Sequence, residues 1–223
     1  NLANTAEQII LYRKFNISKI EERNVSRKPK APFNTSTLQQ TANSQLNFSA
    51  SQTMTVAQGL YMGVDIQKET VALITYMRTD SISLSKDSIE LIRAKIESDF
   101  GTKYLPKEPI EYKTKKKNAQ EAHEAIRPTD VNIHPESIKD HISEDQFKLY
   151  DLIWRRTISS QMANAETNLN ALTITNPEEN IQLKATLGKL VFDGFKKLYN
   201  LQEEGEEQSF FVLDNLNVGD EYL

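Results

Sequence analysis

An α+β protein is predicted, with a mainly helical domain inserted into a mostly antiparallel β domain built from the two ends of the chain. Three observations predict it. From about residue 34 to 163, apolar residues recur at helical spacing behind good capping residues. From about Asn164 the pattern changes to alternation at a period of two, with turn residues between the runs. Before the helical part, "SRKPKAPF" (26–33) is basic and carries two prolines, which interrupts any regular element and marks a boundary. The expected domains are therefore residues 1–33 with 164–223, rich in strand, and residues 34–163, mainly helical.

Taken in order, "AEQIILYRKF" has helical spacing, and "FNISKIEERNV" reads as a strand with Phe15, Ile17 and Ile20 inward. Thr35 or Ser36 can cap a helix bearing Leu38, Ala42 and Leu46, and Ser51 a second one bearing Met54, Ala57, Leu60 and Tyr61. The strand "VALITY" follows, which gives the helix–helix–strand order of a winged helix. Ser85 caps a helix with Ile89, Ile92, Ile96 and Phe100 on one face, ended by Gly101. "NAQEAHEAIR" is read as a short helix stopped by Pro128. Ser143 and Gln146 form a capping-box pattern ahead of a stripe of Phe147, Tyr150, Trp154 and Ile158, read as core. "LNALTITNPEENIQLKATL" is a hairpin turning at Asn176, Pro177 and Asn180, and "KLVFDGFKKLY" and "SFFVLDNLNVGDEYL" continue the β character.

The 223 residues are 38% hydrophobic and 26% charged, enough to bury a core and without an apolar run that could span a membrane. The chain opens on Asn1 with no leader pattern and is read as a piece of a longer one. It has no cysteine, which excludes disulfides and thiolate metal sites and suits a reducing, cytoplasmic setting. A net charge of −4 argues against a general coating of nucleic acid, although "RNVSRKPK", "KTKKK" and "WRR" concentrate positive charge locally.

Chemistry is suggested by "VALITYMRTDS" (71–81). On an extended chain Tyr76 and Arg78 project to the same face. A guanidinium fork can grip two phosphate oxygens and favours phenolate over phenol, so Tyr76 could attack phosphorus and become a covalent phosphotyrosine. The plainer alternative is a tyrosine packed at a strand end with its arginine in solvent. In "NAQEAHEAIRPTD", a helix would put His123 and Arg127 on one face, where an anion could lie between them; Glu121 and Glu124 offer a purely structural alternative. The chain contains no Asp-x-Asp run, P-loop, dinucleotide fingerprint or nucleophile elbow.

These stretches together resemble the type IA DNA topoisomerases. "QGLYMGVDIQKETVALITYMRTDS" (58–81) is similar to their active-site signature, "APFNTSTLQQTAN" (31–43) to the segment upstream and "NAQEAHEAIRPTD" (118–130) to one downstream. The resemblance implies a nucleophile-bearing, winged-helix-like domain (34–163) carried on a β-rich arch (1–33 and 164–223). It implies that Tyr76 is the nucleophile that retains the 5′ phosphate, that Arg78 positions the scissile phosphate, and that His123 binds phosphate and moves protons. Asp80 and Arg127 lie within the matching motifs and take supporting roles, Arg127 on the substrate side with Arg78 and His123. The reaction implied is ATP-independent relaxation of negative supercoils, acting on single-stranded regions of DNA near the nucleoid. Magnesium would be held by a Toprim domain outside this chain, so the 223 residues alone are expected to relax DNA poorly. Topoisomerase I is favoured over its decatenating relative, topoisomerase III. The rival from another class is a winged-helix module that binds DNA through 35–61 without chemistry.

Overall fold

The structure, a computed structural model, describes residues 14–66, 69–112, 124–176, 181–199 and 217–222. The chain forms two compact units, one of residues 1–27, 165–193 and 200–223, the other of residues 28–164 and 194–199. Residues 28–33 and 194–199 thus fall in the helical unit, although the sequence pattern grouped them with the strands. The predicted helix "AEQIILYRKF" lies largely outside the described residues, as do the turn at Pro177–Asn180 and most of "SFFVLDNLNVGDEYL".

The first unit is a four-stranded sheet in the order β5-β4-β1-β6, from β1 (Phe15–Arg27), β4 (Ala165–Asn176), β5 (Ile181–Phe192) and β6 (Glu221–Tyr222), with every neighbour antiparallel. β1 has Phe15 and Ile17 buried, but Ile20 is three residues on, out of step with a period of two. A bulge between Ile17 and Lys19 absorbs the extra residue, so Ile17 pairs with Ile174 and Ile20 with Leu172, which is on the same face. Across the next pair, Gly188 leaves room for Leu169: a Cβ there would stand 2.8 Å from the leucine Cδ2.

"KLVFDGFKKLY" does not stay β. Beyond Phe192 the chain turns at Gly194 (φ 50°) into a 3-10 helix, Gly194–Tyr199. A Cβ at 194 would lie 2.2 Å from the Asn164 carbonyl oxygen, so only glycine makes this turn. The helix is then held by Phe195 N–H donating to Ala163 O (2.9 Å), by the Arg155 guanidinium donating to Leu198 O, and by Ser159 and Tyr199 sharing a hydrogen bond (3.0 Å).

The second unit is assembled around one helix. Its elements are α1 (Thr35–Leu46), α2 (Ala50–Met62), the hairpin of β2 (Val64–Ile66) and β3 (Glu69–Val71), α3 (Lys86–Phe100), the single turn α4 (Pro135–Ile138) and α5 (Glu144–Ser160). α5 packs against all four other helices. It starts with the predicted box, in which Ser143 Oγ accepts from Gln146 N–H while Gln146 Oε1 accepts from Ser143 N–H. From Leu149 onward nearly every side chain is buried, as befits a helix enclosed on all sides. Trp154 belongs to this core, its indole N–H donating to Val131 O (2.9 Å), and the Tyr150 hydroxyl donates to Ile133 O (2.8 Å). Phe147 is only half-buried.

Two caps differ from those the sequence suggested. α1 is capped by Asn34, not Thr35 or Ser36, with Thr37 completing a capping box; α2 is capped by Ser49, not Ser51. In both cases the polar residue nearest the preceding buried aromatic, Phe33 or Phe48, takes the cap, because that ring fixes where the chain enters the helix. Ser85 does cap α3, where Ile92 and Ile96 are buried and Ile89 and Phe100 half-buried.

A larger difference concerns "NAQEAHEAIR". Its residues 118–123 lie outside the described residues, and Glu124–Arg127 are extended rather than helical. The backbone N–H groups of Ala125 and Ile126 donate across to Ser83 O (2.9 Å) and Phe33 O (2.8 Å) instead of back along a helix. Isolated bridges pair Phe33 with Ile126 and Ile74 with Pro128. Cross-chain pairing has overridden a strong local helix preference.

Candidate active site

The segment carrying Tyr76 is extended but is not a strand of a sheet: regular pairing stops at Val71 and resumes as a single bridge at Ile74. It is clasped on both edges. On one side Leu73 N–H donates to Leu60 O (2.8 Å), at the end of α2. Thr35, released from capping, accepts from Thr79 N–H (2.9 Å) and donates to Met77 O (2.7 Å), while its own N–H donates to Thr79 O (3.0 Å). On the other side Thr75 N–H donates to Arg127 O (2.9 Å), Thr75 Oγ1 donates to Ala125 O (2.8 Å), and Thr129 N–H donates to Leu73 O (3.0 Å). Three threonines thus do the work of a missing sheet.

This clasp sorts the side chains. Leu73, Ile74, Met77, Thr79 and Ser81 are buried, while Tyr76, Arg78 and Asp80 are exposed, Tyr76 by 44%. Alternation from 76 to 80 turns phenol and guanidinium to the same side. No described residue hydrogen-bonds the Tyr76 hydroxyl or the Arg78 guanidinium. The Tyr76 ring meets Tyr61 of α2 edge-on, with centroids 5.3 Å apart and planes at 65°. Tyr61 was legible in the sequence as a helix-face residue inside the stretch that resembles the active-site signature, but not as a partner of Tyr76; between the two lies the turn at Gly63 (φ 110°), where a Cβ would strike Thr70 Cγ2 at 2.6 Å.

His123, the predicted imidazole of the site, lies outside the described residues. Arg127 is described, and its guanidinium is engaged internally: Nε and Nη2 donate to Glu124 Oε2 (3.0 and 2.6 Å) and Nη1 to Pro128 O (2.8 Å). Since the chain is extended from Glu124 on, the helical spacing that would have set Arg127 beside His123 does not apply.

Glu124 joins this loop to the start of α3, accepting from Ser85 N–H at 2.8 Å. Burial alone would favour its neutral form, but the hydrogen bonds from Ser85 and the Arg127 guanidinium outweigh burial and hold the carboxyl below its usual range. A carboxyl whose pKa falls on folding contributes stability that is complete above the unfolded value of about 4.3 and lost as pH drops through the folded one. Glu124→Gln is therefore expected to be less stable than the parent at neutral pH. The gap should close below about pH 4 in chemical unfolding curves; a gap unchanged down to pH 3 would refute the linkage.

An exposed phenol and an exposed guanidinium two residues apart, on a segment held at both edges, can receive an anion and attack it. The geometry thus defines a class: an α+β chain that presents a tyrosine–arginine pair at its surface on a clasped, extended segment. The sequence model of the DNA topoisomerase family matches residues 1–223 in full. The chain belongs to that family, in its bacterial type IA branch. It is 49% identical over 197 residues to DNA topoisomerase 1 of Rickettsia bellii, covering 87% of this chain and 25% of that protein. It is 43% identical over 189 residues to DNA topoisomerase 1 of Helicobacter pylori, strain J99, covering 85% and 25%. Full-length topoisomerase I from Thermotoga maritima superposes with a TM-score of 0.81 at 34% identity, over 98% of this chain and 34% of that one. The chain thus spans about a quarter of the length of these curated relatives.

Proposed function

We propose that this chain supplies the nucleophile-bearing and arch portions of an enzyme that cuts and reseals one DNA strand. Residues 34–163, with 28–33 and 194–199 in the same compact unit, form the nucleophile domain, and the remainder of residues 1–33 and 164–223 belongs to the arch. Tyr76 Oη attacks a backbone phosphorus, the bond to the 3′ oxygen breaks, and that oxygen leaves as a hydroxyl. The 5′ phosphate remains on Tyr76 until the same hydroxyl attacks and restores the phosphodiester. Equal bonds are exchanged, so no nucleotide is hydrolysed, and release of negative supercoiling drives the net change. Arg78 holds the phosphate oxygens and stabilises the charge that builds on them. His123 binds phosphate and carries protons, and Arg127, tied to Glu124, positions the loop that flanks Tyr76.

The observation that carries this reading is the outward pairing of Tyr76 and Arg78 on a segment that is otherwise buried and hydrogen-bonded. α1, α2 and the β2–β3 hairpin follow one another as the two helices and wing of a winged helix, and we assign that element to the nucleophile domain. Among the described residues, no three histidine, aspartate or glutamate side chains gather as metal ligands. Magnesium is assigned to a Toprim domain elsewhere in the complete polypeptide. Single-stranded DNA and those remaining domains are the partners; no helix among the described residues is long and apolar enough to cross a membrane. A cytoplasmic, nucleoid-associated setting follows from that substrate.

The test is to trap the adduct of the full-length protein with an oligonucleotide labelled on the 3′ side of the cut, digest it and map the labelled peptide. Label on the peptide containing Tyr76 is expected; label on any other residue would overturn the assignment.

A further inference from the structure

We infer that Tyr61 is a positioning residue for the proposed nucleophile, fixing the direction in which the Tyr76 ring presents its oxygen. The inference rests on the assignment of Tyr76 above. The main chain on either side of Tyr76 is held by the clasp, through Leu73, Thr75, Met77 and Thr79. Nothing in that clasp holds the Tyr76 side chain. The residue is 44% exposed, and its hydroxyl has no hydrogen-bond partner among the described residues. The ring contact recorded for it there is the edge-on packing against half-buried Tyr61.

Tyr61 is well placed for this task. It sits one residue from the end of α2, whose Leu60 carbonyl anchors the Tyr76 segment through Leu73. The support and the supported ring therefore share one rigid frame. An edge-to-face aromatic pair is directional and contributes about 0.5–1.5 kcal/mol beyond its buried area, enough to favour one orientation of a surface ring several-fold. In-line attack requires reacting atoms about 3–3.5 Å apart, and a misplacement of about 1 Å can slow a reaction roughly a hundredfold. A ring free to swing on Cα–Cβ moves its oxygen by far more than that.

The reaction makes this role separable from simple binding. Cleavage and resealing pass through one transition state in opposite directions, so a residue that only orients the attacking and leaving phenol slows both alike. The ratio of cleaved to intact DNA then stays constant.

The experiment uses the full-length protein and a single-stranded oligonucleotide, with single-turnover rates of cleavage and of resealing, and oligonucleotide affinity by anisotropy. Tyr61→Leu, which keeps bulk but loses the aromatic edge, is expected to slow both steps about 4- to 10-fold, the orientation preference that the ring pair supplies, with affinity and cleaved fraction within about twofold of the parent. Tyr61→Phe is expected to restore both rates to within about twofold, because the ring rather than the hydroxyl does the orienting. Leucine rates equal to the parent's, a loss confined to affinity, or a phenylalanine variant as slow as the leucine one would each overturn the proposal. Tyr76→Phe runs alongside: if that variant still forms adducts, the underlying assignment of Tyr76 has failed, whereas adduct loss there with unchanged Tyr61→Leu rates fails this inference alone.

Discussion

Tyr76→Phe in the full-length protein is expected to abolish covalent DNA adducts and supercoil relaxation while leaving the fold and its stability unchanged. The substitution removes one oxygen. That oxygen accepts and donates no hydrogen bond among the described residues, and the ring that remains can still pack edge-on against Tyr61. With 44% of the residue exposed, no buried polar partner is orphaned, so melting should move by less than a degree or two. A nucleophile has no substitute when its attacking atom is gone, so the loss should reach the detection limit of a denaturing-gel adduct assay. Adducts that persist in this variant would show that another residue attacks the DNA.

The second large effect is expected at Arg78. Arg78→Ala should lower the single-turnover cleavage rate by about 10²–10³, the usual consequence of removing one donor aimed at charge that develops in a transition state. Arg78→Lys should recover only part of this, because an ammonium offers the charge without the planar fork. Stability should again be unaffected: Arg78 is exposed and forms no hydrogen bond or ion pair among the described residues, unlike Arg127, which is tied to Glu124. That contrast gives an internal control. Arg127→Ala should destabilise the loop and lower melting temperature and activity together, whereas Arg78→Ala should lower activity alone. An Arg78→Ala rate within about threefold of the parent would remove Arg78 from the proposed chemistry.

Much of the architecture was legible from local pattern. The helices at 35–46, 50–62, 86–100 and 144–160 follow their apolar spacing, because an amphipathic stripe can be buried in only one way. β4 and β5 follow their alternation for the same reason. Local pattern failed where long-range pairing competed with it. Glu124–Arg127 look helical in isolation and are extended because Phe33 and Ser83 offer carbonyls to Ile126 and Ala125. The Gly194–Tyr199 turn looks like more strand and is not, because a carbonyl at Asn164 sits where any side chain would be.

The same division holds at the candidate site. Residue order alone determined that Tyr76 and Arg78 share a side, since alternation is a property of any extended chain. Only the tertiary structure decided that this side faces outward, because that depends on Thr35 and Thr75, some forty residues away and next door respectively, closing hydrogen bonds over the opposite edges. It alone also set Tyr61 against Tyr76 and engaged Arg127 with Glu124 rather than leaving it open to an anion. Periodicity is written into a chain residue by residue, whereas exposure and partnership belong to whatever distant segments happen to fold against it.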